Sequence, residues 1–155
     1  MLNCLTIFVI TPEIKAFLNL QKLGFVATVN SDGSPNISPK GTIIGWDEKI
    51  LAFADIRSPD TVNNLKTNPH VEINVIDPLL RKGYLFRGEA RIIQDGVALF
   101  EEILNHYRIN GVMSPINSIV LVDVSAVSKV TSPLYDLGLS EQEIKSKWKK
   151  HFENL

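Results

Sequence analysis

Three short segments concentrate the residues whose types and spacing could do chemistry: Ser38-Pro39-Lys40-Gly41, the run Ala54-Asp55-Ile56-Arg57-Ser58-Pro59-Asp60-Thr61, and Arg81-Lys82-Gly83-Tyr84. Each is basic and holds a Gly or Ser, a combination suited to an anion. A helix starting at Pro59 with Ser58 as its N-cap would offer unpaired backbone N–H groups and a partial positive charge, which together favour a bound phosphate. Arg57 would stand beside that helix end. Lys40 and Lys82 each neighbour a glycine, whose missing side chain lets a ligand approach the backbone closely. If the strands that carry them are neighbours, the three corners serve one anion.

Each of these residues also has a plainer use. Lys and Arg are most often solvated surface charges, Ser58 caps a helix with or without a ligand, and Thr61 shares that ambiguity. Gly41 and Gly83 fit a bulge or turn, and Tyr84 and Trp46 fit a packed core. His70, His106 and His151 have no metal-site spacing, and no Asp or Glu forms a recognisable motif with them. The lysines at 145, 147, 149 and 150 alternate with Ile144, Trp148 and Phe152 at helical spacing, which reads as the solvated face of an amphipathic helix.

The composition narrows the classes. A chain of 155 residues is one domain, 1–155, able to bury a core without metal or disulfide staples. A formal charge of −1 speaks against a general nucleic-acid binder. Cys4 is the single cysteine, so an intrachain disulfide is ruled out and a reducing compartment such as the cytoplasm fits. Leu2 to Ile10 is apolar but far shorter than the roughly 20 residues of a membrane span; it reads as an opening strand or helix lead-in. No membrane partner is expected.

The elements that must position the three segments follow from local signals. Thr11-Pro12-Glu13 starts a helix to about Lys22, with Gly24 placed to end it. Phe25 to Val29 is a buried strand, Asn30 to Gly33 a turn, and Asn36 to Trp46 one long strand in which Pro39 and Gly41 imply a bulge or unpaired edge. Ile50 to Ala54 is a strand, Pro59 to Thr67 a helix stopped by Asn68-Pro69, and Val71 to Ile76 and Leu85 to Ile93 are strands. A helix from Val97 to His106, a loop from Asn110 to Ser118, strands at Ile119 to Val124 and Val127 to Val130, and a helix opened by the Ser140/Glu143 capping box complete the chain. About six strands joined by turns and short helices predict a mainly β fold, a small antiparallel barrel with peripheral helices and a C-terminal helix. Neither a dinucleotide fingerprint nor a P-loop sequence is present.

From about Leu20 to Ile93 the chain resembles the pyridoxamine 5′-phosphate oxidase-like, FMN-binding split β-barrels, particularly their short members. The resemblance lies in Phe25-Val26-Ala27-Thr28-Val29 with Asp32-Gly33-Ser34-Pro35, then Ser38-Pro39-Lys40-Gly41, Ala54-Asp55, Leu65 before Asn68-Pro69, and Asp77-Pro78 leading to Arg81-Lys82-Gly83-Tyr84 and Gly88. Ser132-Pro133-Leu134-Tyr135-Asp136 is similar to the tail of the same members. The resemblance implies an antiparallel split barrel that forms a homodimer, with FMN in clefts between the subunits and a small-molecule substrate or electron acceptor. It places Ser38, Pro39, Lys40 and Gly41 along the isoalloxazine and ribityl chain, and Asp55, Ile56, Arg57, Ser58 and Thr61 on the other side. Arg57, Ser58 and Thr61 would hold the phosphate, Lys40 would add charge, and Lys82 and Tyr84 would approach the flavin from a neighbouring strand. The implied activity is that of an FMN-dependent oxidoreductase.

Two departures qualify the activity. Asp60 and Thr61 stand where the oxidases that name the family carry an adjacent Arg and Lys, and the chain ends in the helix after Ser140 rather than in the segment those oxidases use on the vitamin phosphate. Pyridoxamine phosphate oxidation is therefore not expected, and the resemblance names no catalytic side chain. A deazaflavin-dependent reductase and a non-catalytic flavin- or haem-binding module are the competing readings.

Overall fold

The computed structural model describes residues 9–155; Cys4 and nearly all of the opening segment read as a strand or helix lead-in lie outside them. Helix α1, Pro12–Gln21, starts as the sequence predicts, with Thr11 Oγ1 accepting from the Ile14 N–H at 3.4 Å and Pro12 in the first turn. Its end is different. Lys22, at φ 58°, makes the left-handed stop and returns its N–H to Leu18 O at 2.9 Å. Gly24 instead opens strand β1, Gly24–Val29, where a Cβ would lie 2.5 Å from Ile43 Cδ1 and 2.7 Å from Val75 Cγ2. That glycine serves packing.

Among the described residues one sheet runs in the order β2, β1, β5, β6, β7, β4, β3, all neighbours antiparallel. Strand β2 is Pro35–Lys40, β3 Ile44–Gly45, β4 Ile50–Asp55, β5 His70–Asp77, β6 Lys82–Ile93 and β7 Ser118–Thr131. The expected single strand from Asn36 to Trp46 is thus two strands, β2 and β3, on opposite edges of the sheet. Only Gly41, Thr42 and Ile43 join them, and this short link dictates the shape. Seven strands laid flat at ~4.8 Å spacing would hold the edges roughly 29 Å apart, whereas the link from Lys40 to Ile44 reaches about 14 Å. The sheet must curl until its edges meet, giving an antiparallel half-barrel of the split-barrel type.

Two further boundaries differ from the sequence reading. The strands expected at Ile119 to Val124 and Val127 to Val130 are one strand, β7, with Ser125 bulged out where the register steps from Arg87↔Ala126 to Gly88↔Val124. Ser125 Oγ donates to Arg87 O at 3.2 Å and fastens the bulge. At Gly88 a Cβ would stand 2.3 Å from Asp123 O, so the bulge needs a glycine. Strand β6 begins at Lys82 rather than Leu85, because Asp77 Oδ1 accepts from the Leu79 and Leu80 N–H groups and Arg81 turns the chain at φ 53°. Lys82, Gly83 and Tyr84 therefore belong to the strand, not to the corner.

Burial explains the two kinds of strand sequence. Inside the curl, Ile14 and Leu18 of α1 pack with Ile10, Val26, Ile43, Leu51, Phe53, Ile73, Val75 and Phe86. On the other face of β4 and β7, helix α3, Ala98–Ile109, buries Phe100, Ile103 and Tyr107 against Ala52, Ala54, Ile119 and Leu121. Strands covered on both faces read as continuous apolar runs, and β4 and the first half of β7 do so. Strand β1 alternates, and its outer face is bare: Phe25 is 49 % exposed, and Ile37, opposite Ala27 on the same face of β2, is 66 % exposed.

Helix α2, Pro59–Thr67, crosses the barrel end, and α4, Glu141–Glu153, closes the chain with the predicted capping box complete. Ile144 is fully buried, and Trp148 lies under Arg81, whose Cζ is 3.4 Å from the ring centroid. Ser140→Ala should lower stability by about 1 kcal/mol by removing the cap of this helix. Comparing urea midpoints of the two proteins checks this, and an unchanged midpoint would mean that α4 contributes nothing to the cooperative unit. No helix among the described residues is long and apolar enough to cross a membrane.

Candidate functional site

The polar residues that matter gather where β2 and β4 end and where α2 and β7 begin. Asp55, the last residue of β4, sits opposite Ser118, the first of β7. Its carboxylate is 7 % exposed and organises the corner: Oδ1 accepts from the Ser58 N–H at 3.2 Å and the Ser58 hydroxyl at 2.9 Å, and Oδ2 accepts from Ser118 Oγ at 3.4 Å. Ser58 therefore precedes α2 as predicted, but its side chain is spent on Asp55 and makes no cap bond. Pro59 has no N–H, and those of Asp60 and Thr61 precede the first intrahelical bond, Val62 N to Ser58 O at 3.2 Å. The start of α2 keeps free donors despite having a serine at the cap position.

Lys40, the last residue of β2, is also 7 % exposed, an unusual degree of burial for a lysine. Its Nζ hydrogen-bonds Ser38 Oγ. Burial pulls its pKa below the ordinary lysine value, and the negative charge of Asp55 partly restores it. Lys40 and Asp55 thus compensate one another. Arg57, by contrast, is exposed and has no ionic or hydrogen-bonding partner among the described residues. It is the cation left over at the start of α2, next to the half-buried Ile56.

Gly41 decides between a structural and a ligand-facing role. Its φ is not in the positive range, so no turn requires it, and a Cβ built there meets nothing within 4 Å. A bare backbone is left beside Lys40 for no internal reason. Gly83 is the opposite case, since its Cβ would lie 1.9 Å from Val75 O, and close strand approach accounts for it. The link that carries Gly41 is held rigid: Thr42 Oγ1 accepts from the Ala54 N–H at 3.0 Å, and Tyr107 Oη donates to Thr42 O at 2.9 Å. Burial pushes the Tyr107 hydroxyl pKa well up, so it stays a neutral donor.

Sequence spacing missed several supporting residues. Asn117, just before β7, donates its backbone N–H to Asp55 O at 2.9 Å and its side-chain amide to Ile56 O at 3.3 Å, fixing the corner. Asn64 of α2 donates to Thr28 Oγ1 at 3.1 Å and to Asn30 Oδ1 at 2.8 Å, while Asn36 donates to Thr28 Oγ1 at 3.1 Å, so α2 is pinned to β1 by a polar clasp. The only signal was three asparagines in strand-edge and helix positions, which by itself also describes turns.

Of the expected site residues, Ser38, Lys40, Asp55 and Ser58 converge by direct bonds or charge, Arg57 and buried Thr61 flank them at α2, and Gly41 continues the Lys40 strand end. Pro39 is exposed on the outer face. Lys82 and Tyr84 stand elsewhere on this chain. The register Lys40↔Gly24, Val75↔Tyr84 places Tyr84 three strands from Lys40, roughly 14 Å along the sheet. A groove of about 780 Å³ crosses β1, β5, β6 and β7, with Arg87 paired to Glu72 at 2.6 Å and His70 to Glu89 at 3.7 Å. Lys49 on its rim has no ionic partner among the described residues, but the groove is lined by strands and turns and has no helix start to add free backbone donors.

A curled antiparallel half-barrel with a basic corner at the start of α2 defines a split-barrel protein. The family described as pyridoxamine 5′-phosphate oxidase matches residues 10–130, and the chain belongs to it. Among solved structures, HupZ of Group A Streptococcus is 30 % identical, with 79 % of this chain and 95 % of that one covered at a TM-score of 0.70. An F420 reductase is 28 % identical over 76 % of this chain and 98 % of its own, at 0.59. An FMN-binding protein of Syntrophomonas wolfei shares the fold at 15 % identity, covering 77 % and 84 %, with a TM-score of 0.66. No curated protein sequence matches the chain.

Gly41→Val should leave the unfolding free energy unchanged to within about 0.5 kcal/mol, as for a substitution that disturbs no internal contact. If the bare backbone faces a flavin, the same change should weaken that ligand at least about tenfold, roughly 1.4 kcal/mol. Chemical denaturation and a flavin titration on one preparation test both halves. A destabilised protein would return Gly41 to a structural role.

Proposed function

We propose that the chain is an FMN-binding oxidoreductase that holds the cofactor phosphate at the start of α2. The observation that carries this reading is Arg57, a cation without a partner among the described residues, beside a helix start whose Asp60 and Thr61 N–H groups are unused. A phosphate dianion matches that donor set in charge and in hydrogen bonding. Ser58 and Thr61 flank it, while Ser38, Lys40 and the bare backbone at Gly41 offer a surface for the rest of the molecule. When bound, a flavin supplies reversible one- and two-electron transfer. The side chains have narrower tasks: Arg57 neutralises and orients the phosphate, Lys40 keeps a positive charge in a dry environment, and Asp55 holds Lys40 and Ser58 in place.

The similarity to an F420 reductase supports a deazaflavin as the second reading. Both are decided by the visible spectrum of the purified protein and the mass of any released ligand. FMN is expected, a deazaflavin would move the cofactor assignment, and a protein that binds neither would end the flavin reading. Turnover is tested by reducing the bound flavin with dithionite and following its reoxidation by oxygen or small acceptors; a flavin that passes electrons to none of them would make the chain a binding module.

The proposal includes a homodimer with the cofactor at the subunit interface. It is supported by the uncovered outer face of β1 and β2, where Phe25, Val29 and Ile37 are exposed together. Pro35 and Pro39 remove two N–H groups from edge strand β2, which favours packing by the face over strand addition at the edge. Light scattering at micromolar concentration should give twice the chain mass, and a monomer that still binds FMN stoichiometrically would contradict a shared site. The single cysteine, Cys4, suits a cytoplasmic setting.

A further inference from the structure

A second cavity lies between α1, the start of β6, the end of β7, the segment around Tyr135 and the start of α4. Its volume is about 360 Å³, within the range of small-molecule sites. None of Lys40, Asp55, Arg57, Ser58 or Thr61 lines it, whereas Lys82 and Tyr84, which the resemblance sets near the flavin, do. Two features of its chemistry converge. Three aromatic rings form the walls, Phe17, Tyr84 and Tyr135, with Phe17 meeting Tyr84 edge-on at 5.2 Å between centroids. The register Lys82↔Thr131 and Tyr84↔Lys129 then puts Lys82, Tyr84, Lys129 and Thr131 on one face of the sheet, so two lysines border one aromatic chamber.

One carboxylate is already there. Glu141, in the first turn of α4, hydrogen-bonds Lys82 Nζ, and this pairing raises the lysine pKa. Lys129 has no ionic partner among the described residues. Asp77, opposite Lys82 in the β5–β6 register, does not line the cavity, and its oxygens serve Gln21, Leu79 and Leu80. The chamber therefore has two cations against one anion, and that anion is the chain's own.

We propose that this cavity binds a small aromatic monocarboxylate, whose ring lies among Phe17, Tyr84 and Tyr135 and whose carboxylate takes the place of Glu141 between Lys82 and Lys129. Planar rings with one charged end fit walls that are aromatic and a rim that is basic. Glu141 acts as a built-in competitor, holding the start of α4 over the cavity until a ligand carboxylate replaces it. The site is separate from the α2 corner and does not depend on what binds there.

The probe is 2-naphthoate, with uncharged 2-naphthalenemethanol as control, titrated into the full-length protein with backbone amide NMR as readout. Shifts are expected at Gly83, Tyr84, Val130, Thr131 and Tyr135, with the alcohol about tenfold weaker or worse, the size of a charge-assisted contact. Lys129→Gln should weaken 2-naphthoate, whereas Glu141→Gln should tighten it, since the internal competitor is gone. Both residues are exposed, and the variants' own amide spectra report that they fold. Addition of FMN should leave the affinity unchanged. Equal binding of acid and alcohol, weaker or unchanged binding by Glu141→Gln, shifts confined to other surfaces, or displacement by FMN would each overturn the proposal.

Discussion

Replacing Asp55 with Ala should lower the free energy of unfolding by about 3 kcal/mol, because one buried carboxylate serves several partners whose isolation is costly. It accepts from the Ser58 N–H and hydroxyl and from Ser118, and its charge faces the buried ammonium of Lys40. The loss should depend on pH in a defined direction. Burial already holds the Lys40 pKa below the ordinary value of 10.5, and removing Asp55 lowers it further. A lysine whose folded pKa lies under its unfolded one costs stability while it must stay protonated, and that cost disappears as pH rises through the folded pKa towards the unfolded one. The deficit of Asp55→Ala should thus be largest near neutral pH and shrink as pH approaches 10.5. Urea unfolding of both proteins across that range tests it; a pH-independent loss would mean that Asp55 acts through its hydrogen bonds alone.

Arg57→Ala should weaken FMN by roughly 10- to 150-fold, corresponding to about 1.5–3 kcal/mol for a charge-assisted contact. Riboflavin, which lacks the phosphate, should bind the variant and the parent alike. Lys40→Ala should act in the same direction with a smaller effect on the FMN to riboflavin ratio, because Asp55 already compensates its charge. Fluorescence titration of both ligands gives the four affinities for each variant. An equal loss for FMN and riboflavin would remove Arg57 from the phosphate.

The helix starts were legible because their signals are local. Thr11-Pro12-Glu13 and Ser140 with Glu143 fix their own backbone within one turn, and both form as expected. Where the sequence reading failed, a partner outside the local motif decided. The split of residues 36–46 between two sheet edges reflects closure of the whole barrel, which no window of ten residues contains. Ser58 has the composition of a cap, but Asp55, three positions before it, takes its hydroxyl. Gly24 does not end α1; Lys22 does, and Gly24 is needed against Ile43 and Val75, residues far away in sequence.

The candidate site was legible to a similar depth. Arg57, Ser58, Lys40 and Gly41 declared themselves by type and spacing, and the α2 corner does assemble most of them. Lys82 and Tyr84 share their basic, glycine-containing signature, and within one chain the register sets them three strands from Lys40, lining another cavity. Ser118, Asn117 and Tyr107 were invisible because they act through long-range bonds, to Asp55, Ile56 or Thr42, and carry no motif of their own.

The most direct test of the phosphate site is a calorimetric comparison of FMN and riboflavin binding to the flavin-free parent protein. The free charge of Arg57 and the open donors of α2 predict that FMN binds at least about tenfold more tightly than riboflavin, a difference of roughly 1.4 kcal/mol or more. Equal affinities, or no binding of FMN, would contradict a phosphate site at the start of α2.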